Sequence, residues 1–587
     1  MANINHYRPL SLFLSATIII NCLFLFMNGY GADLGYWYDW TKQLAGHGYK
    51  NFNGNYPPVY LHWIYLIGNL LDYFKIPIEN SDLLKFFWVT PVFFSHLLLV
   101  GLVHKLLVRA NANTNFHLCL MLLVAFNPAL IINGPIWGQV DLLPSCLALS
   151  AIYLHFSSRY AYLMIPIFTL ALLTKLQMIC FAPVVAILFF QKIKQHLVGI
   201  LLALLIIVLV FLPFYWVDYH KQIFKQAYLD TLGQYPVITM NAANIWIWLI
   251  GNNAPDNIQI VSNLHPWFPE SISKAKYFGM FLFSSLCLMV FIVGIHQFNL
   301  IKRKVNEQIL LSSTYFYAMV CALAFFALLP AMHERYIFPA AVAALLFSAS
   351  KTKQLGYPVL LSLVASLNML IILGINGSNI WLGLSILVTL LLVVSFIELF
   401  TGSKFYDLIN QLIMELCSKK YSFPLIFILV FSITLGYLLE RYSLHQTVLT
   451  KDYKLLMDYP VTLSRQEYGK HRFNASVDGN VLTVGDKRFA YGIGTHADSE
   501  IIFAIPQEAK ALHIQYGLDD EVGSAEVVFE IWEGAQLLWR SEVIYGYESV
   551  KAIQLPLSGK GSLTLKVDSY GSNSWDHVDW IEPILIF

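Results

Sequence analysis

Apolar residues run in long unbroken stretches over the first three quarters of the chain, then give way to short alternating runs. Stretches near 10–28, 85–107, 116–133, 139–157, 160–174, 177–191, 197–217, 277–298, 308–330, 336–350, 357–375, 380–400 and 423–440 predict about thirteen helical spans, since crossing the hydrocarbon core takes roughly 20 apolar residues. The stretch from Pro57 to Phe74 is also long enough, but it opens on a Pro-Pro pair and contains His62, Asn69 and Asp72. Placing it along the interface brings Lys105 with Arg109, Arg159, Lys192 with Lys194, Lys302-Arg303-Lys304, Lys351 with Lys353 and Lys419-Lys420 to one cytoplasmic face, as the excess of Lys and Arg in inner loops requires. Residues 29–84 are therefore expected as an outer loop with one or two interfacial helices, and 218–276 as a second outer loop. Arg8 and the run Leu10 to Met27 resemble a signal peptide without a convincing cleavage site, and are read as a retained anchor with a cytoplasmic amino terminus.

From about residue 460 the period becomes two. Ile501 to Ile505, Glu526 to Trp532 and Ser562 to Val567 alternate apolar and polar positions between glycines, the pattern of a small antiparallel β-sandwich. The expected architecture is a polytopic α-helical membrane domain over 1–441, a connector over 442–460 and an all-β sandwich over 461–587.

Composition agrees with this division. The 587 residues are 57% hydrophobic and 12% charged, with mean hydropathy +0.60, more apolar surface than a water-soluble chain can hide. The net charge of +1 hides nine more basic than acidic residues over 1–450 and eight more acidic than basic after it. All seven cysteines precede the polar tail, so no disulfide is expected there. A lipid bilayer is an expected partner and nucleic acid is not.

The unusual polar groups fall on the outer face of this threading: Asp33 and Asp39, NYPPVY (Asn55 to Tyr60), GPIWGQVD (Gly134 to Asp141), Lys175 with Gln177, NAANIW (Asn241 to Trp246) and MHERY (Met332 to Tyr336). Ionisable groups near the membrane are costly and mark functional sites. In this order the motifs resemble the GT-C superfamily of integral-membrane glycosyltransferases over roughly residues 1 to 400, above all bacterial relatives of the GPI-anchor mannosyltransferases. The resemblance implies a hexose donor carried on polyprenyl phosphate, mannose or glucose, and an envelope glycan, lipid or protein acceptor. It also implies transfer on the non-cytoplasmic face of a cell membrane, with an aspartate of the first outer loop as general base.

That chemistry needs a base for the acceptor hydroxyl and cations or donors for the departing phosphate. Asp33 is the expected base and Asp39 the substitute; either also reads as an interfacial acid, Asp33 capping an outer helix. Lys175 is expected to contact the lipid phosphate, or else to snorkel. Arg335 and His333 are expected at the same phosphate with Glu334 orienting them, or else Glu334 and Arg335 close a tight turn. Trp137, Gln139 and Asp141 are candidates for sugar hydroxyls, against helix capping. Tyr56 is a candidate too, although its Pro-Pro neighbours read more as a turn. Asn244 and Trp246 line an acceptor groove or belong to a loop packed on the bundle. No cofactor is required; a divalent cation through Asp33 and Asp141 is an open alternative.

In the tail, YGIGTHADSEI (Tyr491 to Ile501), YGLDDEVGS (Tyr516 to Ser524) and DHVDWIEPIL (Asp576 to Leu585) resemble the NPCBM type of carbohydrate-binding module, with a galactose-binding jelly-roll fold. Asp519, Asp520, Asp576 and Asp579 hold a structural cation or satisfy loop donors, and Trp575 and Trp580 are candidate stacking platforms or core. Two other functions compete with the transferase: a lipid or sugar transporter or flippase with an external glycan-binding domain, and a glycan receptor whose membrane part only anchors it.

Overall fold

The computed structural model describes residues 4–25, 29–76, 81–230, 237–252, 254–258, 274–301, 307–352, 354–373, 378–401, 453–478, 480–485, 487–521, 525–545, 549–571 and 576–587. Two compact units divide the chain: Met1–Gly29 with Trp40–Ser432, and Tyr30–Asp39 with Ile433–Phe587.

The first unit is helical. Six of its described helices are long and apolar enough to cross a bilayer: Leu84–Arg109, Thr114–Ile136, Ile193–Trp216, Ala275–Phe298, Glu307–Leu328 and Ile380–Phe400. Shorter apolar helices cover Leu10–Leu25, Leu142–His155, Ala161–Thr174, Leu176–Gln191 and Gly356–Ile372, and the expected span 423–440 lies outside the described residues. Burial sorts the long helices. Glu307–Leu328 is 83% buried along its most apolar window and so is central, whereas Ile193–Trp216 is only 17% buried and turns Leu201, Leu204, Leu205 and Val208 outward. A helix apolar all round and this exposed has the surface that lipid would cover. In the first expected outer loop, helices Gly31–His47 and Pro58–Tyr73 form where interfacial helices are predicted. Pro58 occupies the first helical position, where a missing N–H costs nothing.

Two breaks in helical runs shape the site. Gly134 and Pro135 lie in a π-turn over Ile132–Ile136, and the Trp137 N–H reaches back to the carbonyl of Ile132 at 2.8 Å. The helix resumes at Leu142–His155. The second break is Lys175, whose extended backbone (φ −158°, ψ 124°) separates Met164–Thr174 from a 3-10 turn at Leu176–Phe181.

The second unit carries two antiparallel sheets, as the period of two predicts. One orders its strands Lys551–Pro556, Ala511–Leu518, His577–Ile586, Gly492–His496 and Arg472–Phe473; the other Gln536–Arg540, Glu526–Glu533, Ser562–Ser569, Ser499–Ala504 and Val461–Gln466. Ile493, Ile501, Phe503, Leu512, Ile514, Val527, Phe529 and Trp580 pack between them. A short strand, Tyr453–Leu455, pairs with Ile584–Ile586 from within the stretch expected as connector. The strand His577–Ile586 is buried along both faces, because Ile581 packs under Leu482, Val484 and Phe489 from the hairpin segment outside the sandwich.

Candidate functional site

Lys175 and Asp141 form a buried ion pair. Asp141 precedes the helix Leu142–His155, yet its side chain makes no capping bond. One carboxylate oxygen takes the Lys175 ammonium and the other accepts from Asn133 Nδ2 at 2.9 Å. Both oxygens are therefore engaged within the protein. An isolated ammonium at this depth would be strongly disfavoured, and the acid offsets that cost. The Lys175 Nζ lies 5.9 Å from the ring centroid of Tyr56 and 5.7 Å from that of Tyr336, so the NYPPVY stretch, the Lys175 break and the MHERY segment meet around one ammonium.

Within MHERY, Arg335 Nη1 donates to Glu334 Oε1 at 2.7 Å and His333 Nδ1 stands 3.8 Å from Glu334 Oε2. Burial alone would raise the Glu334 carboxyl, but Arg335 and His333 outweigh it and hold the group down to about 2. The Arg335 guanidinium carbon lies 5.9 Å from the Trp137 ring centroid and the His333 ring 5.2 Å from that of Tyr336. Tyr56 feels the charges of Asp141 and Arg335 together. Lys175, Arg335, His333, Glu334, Asp141, Tyr56 and Trp137 thus belong to one constellation.

The backbone beneath it is pinned from two sides. Thr239–Met240 pairs in parallel with Met332–His333. Asn368, fully buried, donates to the Glu334 carbonyl at 2.7 Å and accepts from Trp381 Nε1 at 3.2 Å and from the Ala243 N–H at 3.3 Å. Neither Asn133 nor Asn368 is singled out by the sequence reading. Their one signal is a carboxamide inside an apolar run, which membrane helices seldom carry without a partner.

Several expectations are corrected. Asn244 caps the helix Ile245–Leu249 by accepting from the Trp246 N–H, and its amide donates to the Phe326 carbonyl. Trp246 is 1% exposed and donates to the Leu328 carbonyl at 3.1 Å. Both hold the loop on the bundle instead of lining a groove. Trp137 and Gln139 are buried in the turn after the π-bulge, so Trp137 offers its ring to Arg335 and not to a solvent-facing sugar. Asp33 lies in the first turn of Gly31–His47 and is partly exposed, as is Asp39. Both fall in the Tyr30–Asp39 segment of the second unit.

In the sandwich, Trp580 is fully buried with its ring edge-on to Phe529 at 4.9 Å, which removes it as a stacking platform. Trp575 lies outside the described residues. Asp519, Asp576 and Asp579 are buried. Asp519 accepts from the Glu521 N–H at 2.9 Å and Asp520 from the Gly485 N–H at 2.9 Å, so two of these acids do satisfy loop donors. Burial raises the Asp576 carboxyl to about 6, helped by the charges of Asp498 and Glu526, and burial with the neighbouring acids pushes Asp579 well up.

The NPCBM/NEW2 domain family matches residues 452–586. Over 125 residues the chain is 35% identical to alpha-1,3-galactosidase B of Akkermansia muciniphila, a match that covers 20% of this chain and 16% of that protein. The chain thus spans a small part of the curated relative's length. Among solved structures, a CBM51 module of Clostridium perfringens GH95 in complex with methyl-galactose is 26% identical, with 23% of this chain and 99% of that one covered and a TM-score of 0.22. The arabinosyltransferase EmbB of Mycobacterium smegmatis aligns with 100% of this chain and 65% of its own at 10% identity and a TM-score of 0.36.

Proposed function

We propose that the helical unit is a membrane glycosyltransferase that moves a hexose from a polyprenyl-phosphate carrier to an envelope glycan, lipid or protein, and that the NPCBM-type domain binds glycan on the same side. The observation that carries this reading is the meeting of Lys175 with the MHERY segment, two clusters more than 150 residues apart in sequence, across the Tyr336 ring at 5.7 Å. An ammonium carries three N–H donors and a guanidinium five in a planar fork, and here each is set against a carboxylate, Lys175 against Asp141 and Arg335 against Glu334. Each acid holds its cation in place, and two cations brought together in this way suit phosphate oxygens.

In the proposed reaction the Asp33 carboxylate takes the proton of the acceptor hydroxyl. The hydroxyl oxygen bonds to the anomeric carbon from the face opposite the phosphate, and the bond from that carbon to the phosphate oxygen breaks. The electron pair leaves with the carrier phosphate, whose charge Lys175, Arg335 and His333 stabilise, so the configuration inverts. Support for Asp33 is its place after the first apolar stretch and the motif order; Asp39 is the substitute.

The test is hexose transfer from a radiolabelled polyprenyl-phosphate donor by the purified full chain. Asp33→Asn is expected to abolish transfer and Lys175→Gln to lower it at least a hundredfold, the scale on which loss of one charge-stabilising donor is felt, with the thermal melt of Asp33→Asn unchanged. Full transfer by Asp33→Asn overturns the base, and full transfer by Lys175→Gln overturns the phosphate site.

A further inference from the structure

The sandwich holds a second polar constellation that the transferase reading leaves unused. Val578 and Trp580 enter the core between the sheets, so the alternation of a strand turns His577 and Asp579 to the opposite face. There His577 Nδ1 lies 2.9 Å from Glu521 Oε1 and 3.8 Å from Asp478 Oδ2. One ligand atom from each of the three residues falls within 4.8 Å of the others. Arms of roughly 2.0 Å around a tetrahedral ion give ligand separations of about 3.3 Å, which the observed distances bracket.

The surroundings are built to hold this geometry. The other Glu521 oxygen accepts from Ser476 Oγ at 3.0 Å and Asn480 Nδ2 at 2.7 Å, the kind of outer contact that orients a ligating carboxylate. The His577 ring lies 12° from parallel with Tyr468, centroids 6.0 Å apart.

A separate observation points to a cation. Asp579 is 1% exposed, and its carboxylate oxygens meet no nitrogen or hydroxyl donor among the described residues, only the neighbouring carboxyl of Asp519. It faces the negative charges of Asp519 and Glu521, and among the described residues no lysine or arginine pairs with Asp478, Asp519, Glu521 or Asp579. Buried like charges without donors must be balanced by protons or by a cation.

We infer that Asp478, Glu521 and His577 bind a divalent first-row transition ion of the Zn²⁺ class, whose charge also offsets Asp519 and Asp579. The imidazole donor and the small ligand number disfavour Ca²⁺ and Mg²⁺, which take oxygen shells. The exposed Asp478 leaves the remaining coordination position to water. The ion ties the loop carrying Asp478 to the central strand.

The probe is Co²⁺, titrated by visible absorption into the EDTA-stripped full chain in detergent, with Zn²⁺ and Ca²⁺ as competitors. The expected result is a ligand-field band that Zn²⁺ displaces and Ca²⁺ does not, with affinity reduced at least tenfold in Asp478→Asn and in His577→Gln. No band in the parent chain, an unchanged band in Asp478→Asn, or displacement by Ca²⁺ overturns the inference. The Asp478 side chain is 45% exposed, so its substitution spares the fold and decides the matter even where His577→Gln does not fold.

Discussion

The side-chain amide of Asn368 donates to the main-chain carbonyl of Glu334 at 2.7 Å. Through its oxygen the same amide holds the Ala243 N–H and the Trp381 indole, so one buried carboxamide fixes three separate segments around the MHERY turn.

Removing it strands several buried polar groups, each costing about 1–3 kcal/mol. Asn368→Ala is expected to lower the thermal midpoint in detergent and to cut hexose transfer at least tenfold. Asn368→Gln, longer by one methylene, should recover neither fully. Unchanged transfer with a lowered midpoint would confine Asn368 to a role in stability.

The Lys175–Asp141 pair gives a sharper contrast. Asp141→Ala leaves an ammonium buried without its acid, at a cost of about 3–5 kcal/mol. Lys175→Met combined with Asp141→Leu removes both charges and should regain most of that stability without regaining transfer. Equal midpoints for the single and the double variant would mean that the pair carries no buried-charge penalty.

Glu533 gives the sandwich an acid-side pH response. It accepts from the Ser558 N–H at 2.9 Å, the Ser558 hydroxyl at 2.6 Å and the Lys560 N–H at 3.1 Å. Burial opposes ionisation, but these donors prevail and the group lies below its usual 4.5. A carboxyl whose folded value is depressed contributes stability above its unfolded value and loses it as pH falls through the folded one. The sandwich should therefore weaken as pH drops below about 4.5, and Glu533→Gln should flatten that part of the profile in melts followed by tryptophan fluorescence.

Gly494 sits where the edge of a sheet meets the covering loop. A Cβ there would lie 2.3 Å from the Ala475 carbonyl oxygen and 2.5 Å from Ser476 Cα, backbone that cannot swing aside. Gly494→Ala should destabilise the sandwich by about 1–3 kcal/mol, read as an earlier transition of that domain, with transfer to a small soluble acceptor unaffected.

Much of this was legible in the residues. The switch from long apolar runs to a period of two locates the sandwich, and the structure places Tyr56, Trp137, Asp141, Lys175 and the MHERY segment near one another. Asn368 is hidden in the sequence because its partners lie 34 and 125 positions away, and Asn133 because its acceptor, Asp141, is brought round to it by the irregular π-turn between them, which no local pattern encodes. Asn244 could have been read more closely, since an asparagine directly before a short apolar helix is a strong capping signal. Of the two readings of Trp580, platform or core, the structure shows core. Its strand is covered on both faces, so alternation loses its power to tell inside from outside.

The short parallel pairing of Thr239–Met240 with Met332–His333 couples two parts of the chain that no covalent proximity joins. Whatever engages the loop around Asn241 works against the same few backbone bonds that place His333. Thermodynamic linkage makes such an influence mutual: on the proposed function, an acceptor that tightens the grip on a carrier lipid would itself be held more tightly when the carrier is present.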